Sequence, residues 1–245
     1  MTERKPLALV GVCAPKEIIS RLTYLGFKAL ILEADTRLPS PVSSHADMLA
    51  FPLGDRIFCS REYAERNREV FDVLSKYGYV ITKCDCNIGN KYPEDIPFNL
   101  ALIDEKIYGR LDSSAKEIII FAEQNKIGLV SVKQGYTKCS TLVLGNKAVV
   151  TADEGIALSA QRNGISVLKI KNSPSAVSID GYDYGFLGGA CGVFEDTVYF
   201  TGNLSAHPDG AEIAEFCRTH SYKTVDLGDQ MLTDVGGIIF LEALN

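Results

Sequence analysis

The chain has 245 residues, 46% of them hydrophobic and 23% charged, which is enough apolar content for a substantial core and too much for a disordered or fibrous chain. Its 25 Lys and Arg stand against 31 Asp and Glu, and the net charge of -6 argues against a general binder of nucleic-acid phosphates. No run approaches the roughly 20 consecutive apolar residues of a membrane span, and Met1 to Lys5 leads into an apolar segment without a signal-peptide core, so a cytoplasmic protein without membrane partners is expected. Seven cysteines, an odd number scattered along the chain, suit reduced thiols better than a disulfide framework.

One pattern recurs along the chain: a short strand, a turn, a second strand, an amphipathic helix and a closing strand. The first occurrence lacks its leading strand. Leu7 to Val12 reads as a strand, Pro15 opens a helix with Ile18, Leu22 and Leu25 on one face, and Lys28 to Leu32 closes the unit. The second runs His45 to Ala50, a turn at Gly54-Asp55, Arg56 to Cys59, a helix capped by Ser60 with Tyr63, Val70, Phe71 and Leu74 on its apolar face, and Tyr79 to Thr82. In the third, Phe98 to Ile103 turns at Asp104-Glu105 into Lys106 to Arg110, followed by a helix from Ser114 to Gln124 and the strand Gly128 to Val132.

The fourth is the clearest copy, with Cys139 to Leu144, a hairpin turn at Gly145-Asn146, and Lys147 to Thr151. Its helix starts near Asp153 with Ile156, Leu158 and Ala160, and Ile165 to Ile170 closes it. The fifth takes Gly188 to Val193, a turn at Glu195-Asp196, Thr197 to Phe200, a helix after His207 with Pro208 in its first turn, and Lys223 to Leu227. A lone strand-like segment, Asp234 to Glu242, remains. It can supply the leading strand missing from the first unit, closing five units into one ring over residues 1–245 with the leading strands innermost around a shared cavity. Two separate α/β domains are the alternative, and they leave that segment unexplained.

The polar residues on the leading strands are the site candidates. His45 and Asp47 stand two apart, so on a strand both side chains point into the cavity together. Asn99 and Asp234 occupy corresponding places in their own units. Cys139 begins an inner strand directly after Lys138, a cation near enough to lower the thiol pKa. Cys191 lies in Gly188-Gly-Ala-Cys-Gly192, where glycines admit a ligand close to the backbone or serve tight strand contacts. His207 repeats the spacing with Asp209 but stands where a helix cap belongs, and His220 reads as surface. Cys84-Asp85-Cys86 has no second Cys/His pair at zinc spacing and reads as a loop, so no metal is expected. No phosphate-cradling glycine motif occurs, and no cofactor is expected.

Five such units closed by the C-terminal strand resemble the pentein fold, an α/β propeller of the guanidine-modifying enzyme superfamily, which includes arginine and agmatine deiminases, dimethylarginine hydrolases and amidinotransferases. The strings Gly135 to Ser140, Gly181 to Gly189 and Ser44 to Met48 are similar to a group of bacterial proteins placed in that superfamily. The resemblance implies a Cys nucleophile, a His general acid/base often within His-x-Asp, and carboxylates that hold a guanidinium. Carried onto this chain, Cys139 attacks, His45 moves protons, Asp47 with Asn99 or Asp234 orients the cation, and Lys138 and Cys191 contact substrate. The closing segment Thr233 to Gly237 contains no Cys, although the hydrolases carry their nucleophile there, and His-x-Asp falls in the second unit rather than a later one. Two functions follow: a cysteine-dependent hydrolase or transferase of a small guanidino or amidino compound, or a non-catalytic ring that binds a small molecule or a protein, as the superfamily's ribosome anti-association factors do. In the first, the partner is a small-molecule ligand in the central cavity.

Overall fold

Among the residues described by the computed structural model, 4–145 and 147–244, short strands pair into five separate three-stranded sheets. The first unit contains β1 (Leu7–Gly11), α1 (Lys16–Tyr24) and β2 (Lys28–Leu32). The second contains α2 (Ala46–Leu49), β3 (Ala50–Leu53), β4 (Arg56–Ser60), α3 (Arg61–Arg66), α4 (Arg68–Lys76) and β5 (Val80–Cys84). The third has β6 (Ala101–Ile103), β7 (Lys106–Gly109), α5 (Lys116–Gln124) and β8 (Gly128–Ser131), and the fourth β9 (Thr141–Leu144), β10 (Ala148–Thr151), α6 (Glu154–Arg162) and β11 (Ser166–Lys169). The fifth has β12 (Cys191–Phe194), β13 (Thr197–Phe200), α7 (Gly210–Thr219) and β14 (Lys223–Asp226), and β15 (Ile239–Leu241) follows.

In every unit the leading strand runs antiparallel to the middle one and the middle strand parallel to the closing one, as Leu142 facing Val150 and Val150 facing Leu168 show in the fourth. The first unit obeys the same rule through β15, which pairs antiparallel with β1 so that Leu241 faces Leu7 and Ile239 faces Leu9. The two ends of the chain therefore meet in one sheet. A cavity of about 240 Å³ is lined from all five leading strands, by Phe51, Leu102, Val143, Val193 and Phe240 among others, so the units surround a common axis. Each sheet remains a separate ladder; the ring is held by side-chain packing between units and by backbone hydrogen bonds such as that from the Gly189 N–H to the Cys139 carbonyl at 3.0 Å.

The layers explain the hydropathy pattern. Middle strands lie between the axis and the helices, and β10 is buried at every position, whereas the closing strand β11 is half exposed at the outside. Helices cover the sheets with their apolar stripes: Ile18 and Leu22 of α1, Phe71 and Leu74 of α4, Ile156 and Ala160 of α6 are buried. Leu25 and Leu158 are exposed, contrary to expectation: Leu25 has passed the end of α1, and Leu158 stands two residues from Ile156, on the opposite side of the helix. Hairpin turns fall where expected, with Asp104 and Glu105 both at positive φ (49° and 58°) and Gly54 at 60°. Gly145 also has positive φ, while its partner Asn146 lies outside the described residues.

Two expected helix starts differ. Ser60 precedes α3 but makes no side-chain cap, because its Oγ accepts from Arg37 Nη2 at 3.0 Å. Pro208 stands before the N-cap Asp209 and outside α7; His207 Nδ1 accepts the Asp209 N–H at 3.0 Å, ahead of the helix, so His207 orders the approach to α7 without capping it. His220 is half-buried rather than surface, tilted against Phe216 with ring centroids 4.3 Å apart. Closure of the ring is open to test at Leu9, fully buried opposite Ile239: Leu9→Ala is expected to cost about 2–5 kcal/mol in urea denaturation. A cost below about 1 kcal/mol would mean the β1–β15 seam contributes little to stability.

Candidate active site

The polar residues singled out at the heads of the leading strands converge, but they precede the strands instead of lying on them. His45 caps the single turn α2 and Asp47 lies within it; the strand begins only at Ala50. Cys139 sits in a turn before β9, where the Ser140 N–H bonds the Tyr136 carbonyl at 2.9 Å. Asn99 lies in the approach to β6, Asp234 in the approach to β15, and Leu187–Ala190 form a 3-10 turn before β12. Expected strand positions therefore become a layer of turns across the axis.

The helical turn changes what the His45/Asp47 spacing means. Residues two apart point to nearly opposite sides of a helix, so His45 lines a cavity of about 270 Å³ on one side of the layer while Asp47 lines the 240 Å³ cavity on the other. Cys139 and Asp234 open on the His45 side; Lys138 and Cys191 open on the Asp47 side. Contact between the two groups runs through the layer. Cys139 Sγ donates to Asp47 Oδ2 at 3.0 Å, and Asn99 Nδ2 donates to the same sulfur at 3.0 Å. Asn99 Oδ1 accepts the backbone N–H of Lys138 at 2.8 Å and of Cys139 at 3.2 Å, which fixes the amide and the turn carrying the thiol.

Asp234 accepts the N–H of Phe186 at 2.9 Å and of Gly236 at 3.0 Å, and its Oδ1 lies 3.6 Å from His45 Nδ1. His45, Asp47, Asn99 and Cys139 are all at least 96% buried. Burial holds the His45 imidazole below its ordinary pKa, only partly opposed by Asp234, so the ring is neutral near pH 7. Burial likewise pushes Asp47 up to about 7, against the opposing charge of Lys138. The Cys139 thiol is raised well above its ordinary value by burial and by the neighbouring Asp47 and Asp234 charges.

That overturns the expectation that Lys138 activates the thiol. Its Nζ bonds the Gly188 carbonyl at 3.1 Å and its charge favours the ionised forms of Asp47 and Cys191, while the Cys139 thiol is raised by burial and by its carboxylate neighbours. Cys191 is separate as well: its sulfur lies 3.9 Å from the Gly188 carbonyl, and burial pushes the thiol up to about 12. The glycines beside it admit protein, not ligand. A Cβ on Gly189 would lie 2.0 Å from Asp234 Oδ1, and one on Gly188 would lie 2.3 Å from the Lys138 carbonyl oxygen.

His45, Asp47 and Cys139 each present a donor atom within 4.8 Å of the others, the group among the described residues suited to a transition metal. His45 Nδ1 and Asp47 Oδ1 have no hydrogen-bond partner in the protein, so each can meet a ligand or an ion. Residues that no spacing rule singled out wall the His45 side. Tyr136 and Phe186 lie with ring centroids 6.3 Å apart, Tyr184 stands 5.9 Å from Phe186, and Tyr182 and Asp183 complete the rim. In the sequence they fall within the strings Gly135 to Ser140 and Gly181 to Gly189 that carry the resemblance, and Gly181 to Phe186 is a segment without regular structure.

A five-unit ring with polar groups gathered where the leading strands begin defines a pentein-fold protein, and the comparisons agree. The family of unknown function DUF6873 matches residues 9–239, and the chain belongs to that family. No curated protein matches it by sequence. Among solved structures, a dimethylarginine dimethylaminohydrolase as an adduct with S-methyl-L-thiocitrulline superposes with a TM-score of 0.60 at 10% identity, over 98% of this chain and 100% of the other. The Pseudomonas aeruginosa dimethylarginine dimethylaminohydrolase bound to citrulline gives 0.58 at 10%, over 97% and 99%. An amidinotransferase of saxitoxin biosynthesis from Microseira wollei gives 0.59 at 10%, over 99% and 95%. At such identities the likeness establishes the fold.

Proposed function

We propose that the protein is a cysteine-dependent hydrolase or transferase of a small guanidino or amidino compound, with Cys139 as nucleophile. The observation that carries this is the Cys139 thiol, held 3.0 Å from the Asp47 carboxylate and 3.0 Å from the Asn99 amide at the base of an aromatic cavity. Fold neighbours named as a hydrolase of methylated arginine and as an amidinotransferase support the substrate class.

Asp47 is the base in this reading, a role first given to His45. A carboxyl poised near pH 7 and already accepting the thiol hydrogen is matched to receive that proton. The resting thiol is neutral, and a planar cation bound at Asp234 beside Cys139 offsets the negative charges that hold it so. The thiolate then attacks the guanidinium carbon, and the proton taken by Asp47 passes to the departing amine as the carbon–nitrogen bond breaks. An amidino group remains on sulfur. Water, giving a proton to the same carboxylate or to His45, attacks that carbon and expels the thiolate; an amine acceptor in place of water completes a transfer.

Thiol labelling separates this reading from a non-catalytic ring. Chloroacetamidine, a planar cation, is expected to alkylate Cys139 at least about tenfold faster than neutral chloroacetamide, because only the cation lowers the thiol pKa as it binds. Equal, slow labelling of all seven cysteines by both reagents favours a binder.

A further inference from the structure

The cavity that exposes Cys139 has an unbalanced electrostatic lining. Asp183 stands at its rim and Asp234 at its base, and no Lys or Arg is among the described residues that line it. The nearest cation in sequence, Lys138, is turned away: its Nζ bonds the Gly188 carbonyl and its side chain lines the opposite cavity. His45, which does line it, is held neutral by burial. Behind the aromatic wall a further carboxylate, the buried Asp95, accepts the Tyr136 hydroxyl. Between rim and base the walls include Tyr136, Tyr182, Tyr184 and Phe186, aromatic rings that attract cations.

A ligand with a carboxylate at its far end would place that group against Asp183 with no positive partner, and like charges brought together at a binding surface are strongly disfavoured. A ligand with an amine there finds a carboxylate and aromatic faces. We propose that the substrate is an amine-tailed guanidine, a dication without a carboxylate, with its guanidinium at Asp234 and Cys139 and its amine at Asp183. This rests on the hydrolase or transferase reading for what happens to the guanidinium, but selection by charge applies to binding alone.

Three probes of one chain length test it: (4-aminobutyl)guanidine, butylguanidine and 4-guanidinobutanoate. Calorimetric binding to Cys139→Ala and turnover by the unaltered protein are measured in parallel. The dication is expected to bind about three- to fivefold more tightly than butylguanidine, as for one exposed ion pair, and the acid at least about tenfold more weakly. Asp183→Asn should weaken the dication more than butylguanidine, and Asp183→Lys should narrow the gap between the acid and the dication. Circular dichroism and melting of each variant confirm that it is folded.

Binding in this order without turnover of any probe sustains the selection of an amine-tailed guanidine as ligand and overturns the catalytic reading. Turnover with the acid preferred does the reverse. Failure of all three to bind at millimolar concentration, or a loss on Asp183→Asn that is equal for dication and monocation, overturns the proposal.

Discussion

Asp47→Asn is expected to abolish turnover and, at pH 8, to make the protein more stable. The wild-type carboxyl ionises near pH 4 in the unfolded chain but near 7 in the folded one, because burial opposes its charge. Between those values the folded state holds the additional proton, so stability falls as pH rises from about 4 to 7 and levels off above. An amide has no proton to lose and cannot contribute to that fall. Urea denaturation should show the two proteins close at pH 4.5 and the variant ahead by on the order of a few kcal/mol at pH 8. Turnover is lost because an amide leaves the thiol proton without a base. Parallel stability curves for the two proteins would show that Asp47 is ordinary in its titration, and its role as base would fall with it. Greater stability gained by removing a catalytic group is the expected mark of a site that accepts an unfavourable burial for function.

Gly236→Ala is expected to damage both the site and the fold. Gly236 has φ +78°, and a Cβ there would lie 2.1 Å from His45 Cβ and 2.3 Å from His45 Cα, contacts that no rotamer relieves. The same residue gives its N–H to Asp234 Oδ1 at 3.0 Å and accepts the Asp47 N–H at 3.1 Å, so moving it disturbs His45, Asp47 and Asp234 together. The combined cost should be about 2–4 kcal/mol, with turnover lost even where the chain remains folded. Gly26→Ala is the control: its φ is +100° but nothing lies within 4 Å of the added carbon, so it carries only backbone strain, about 1 kcal/mol, and should leave the site intact. If both variants cost the same and retain activity, the close approach of Gly236 to His45 has no functional weight.

Legibility in the sequence differed from element to element. The hairpin at Asp104-Glu105 and the apolar stripe of Ile18 and Leu22 were readable because turns and helices depend on neighbours a few residues away. Pairing of β15 with β1 was inferable by elimination, since one strand was left without a unit. The segment from His45 to Ala50 misled because six largely apolar residues do not distinguish a strand from a helical turn followed by a strand, and that distinction sets which way Asp47 points. Lys138 misled for a related reason: adjacency in sequence placed a cation beside Cys139, while the turn carries the two side chains to opposite sides of the layer.

Local order along the chain was sufficient for the kinds of element, the fivefold repetition and the identity of most groups at the axis, because each depends on residue type and short spacing. Packing between units settled which of those groups touch: the thiol meets Asp47 from another unit, Asp234 faces His45, and Tyr136 joins the aromatics around Tyr184 and Phe186. Such contacts join residues dozens of positions apart, and the burial that shifts their proton affinities exists only once the five units have closed on one another.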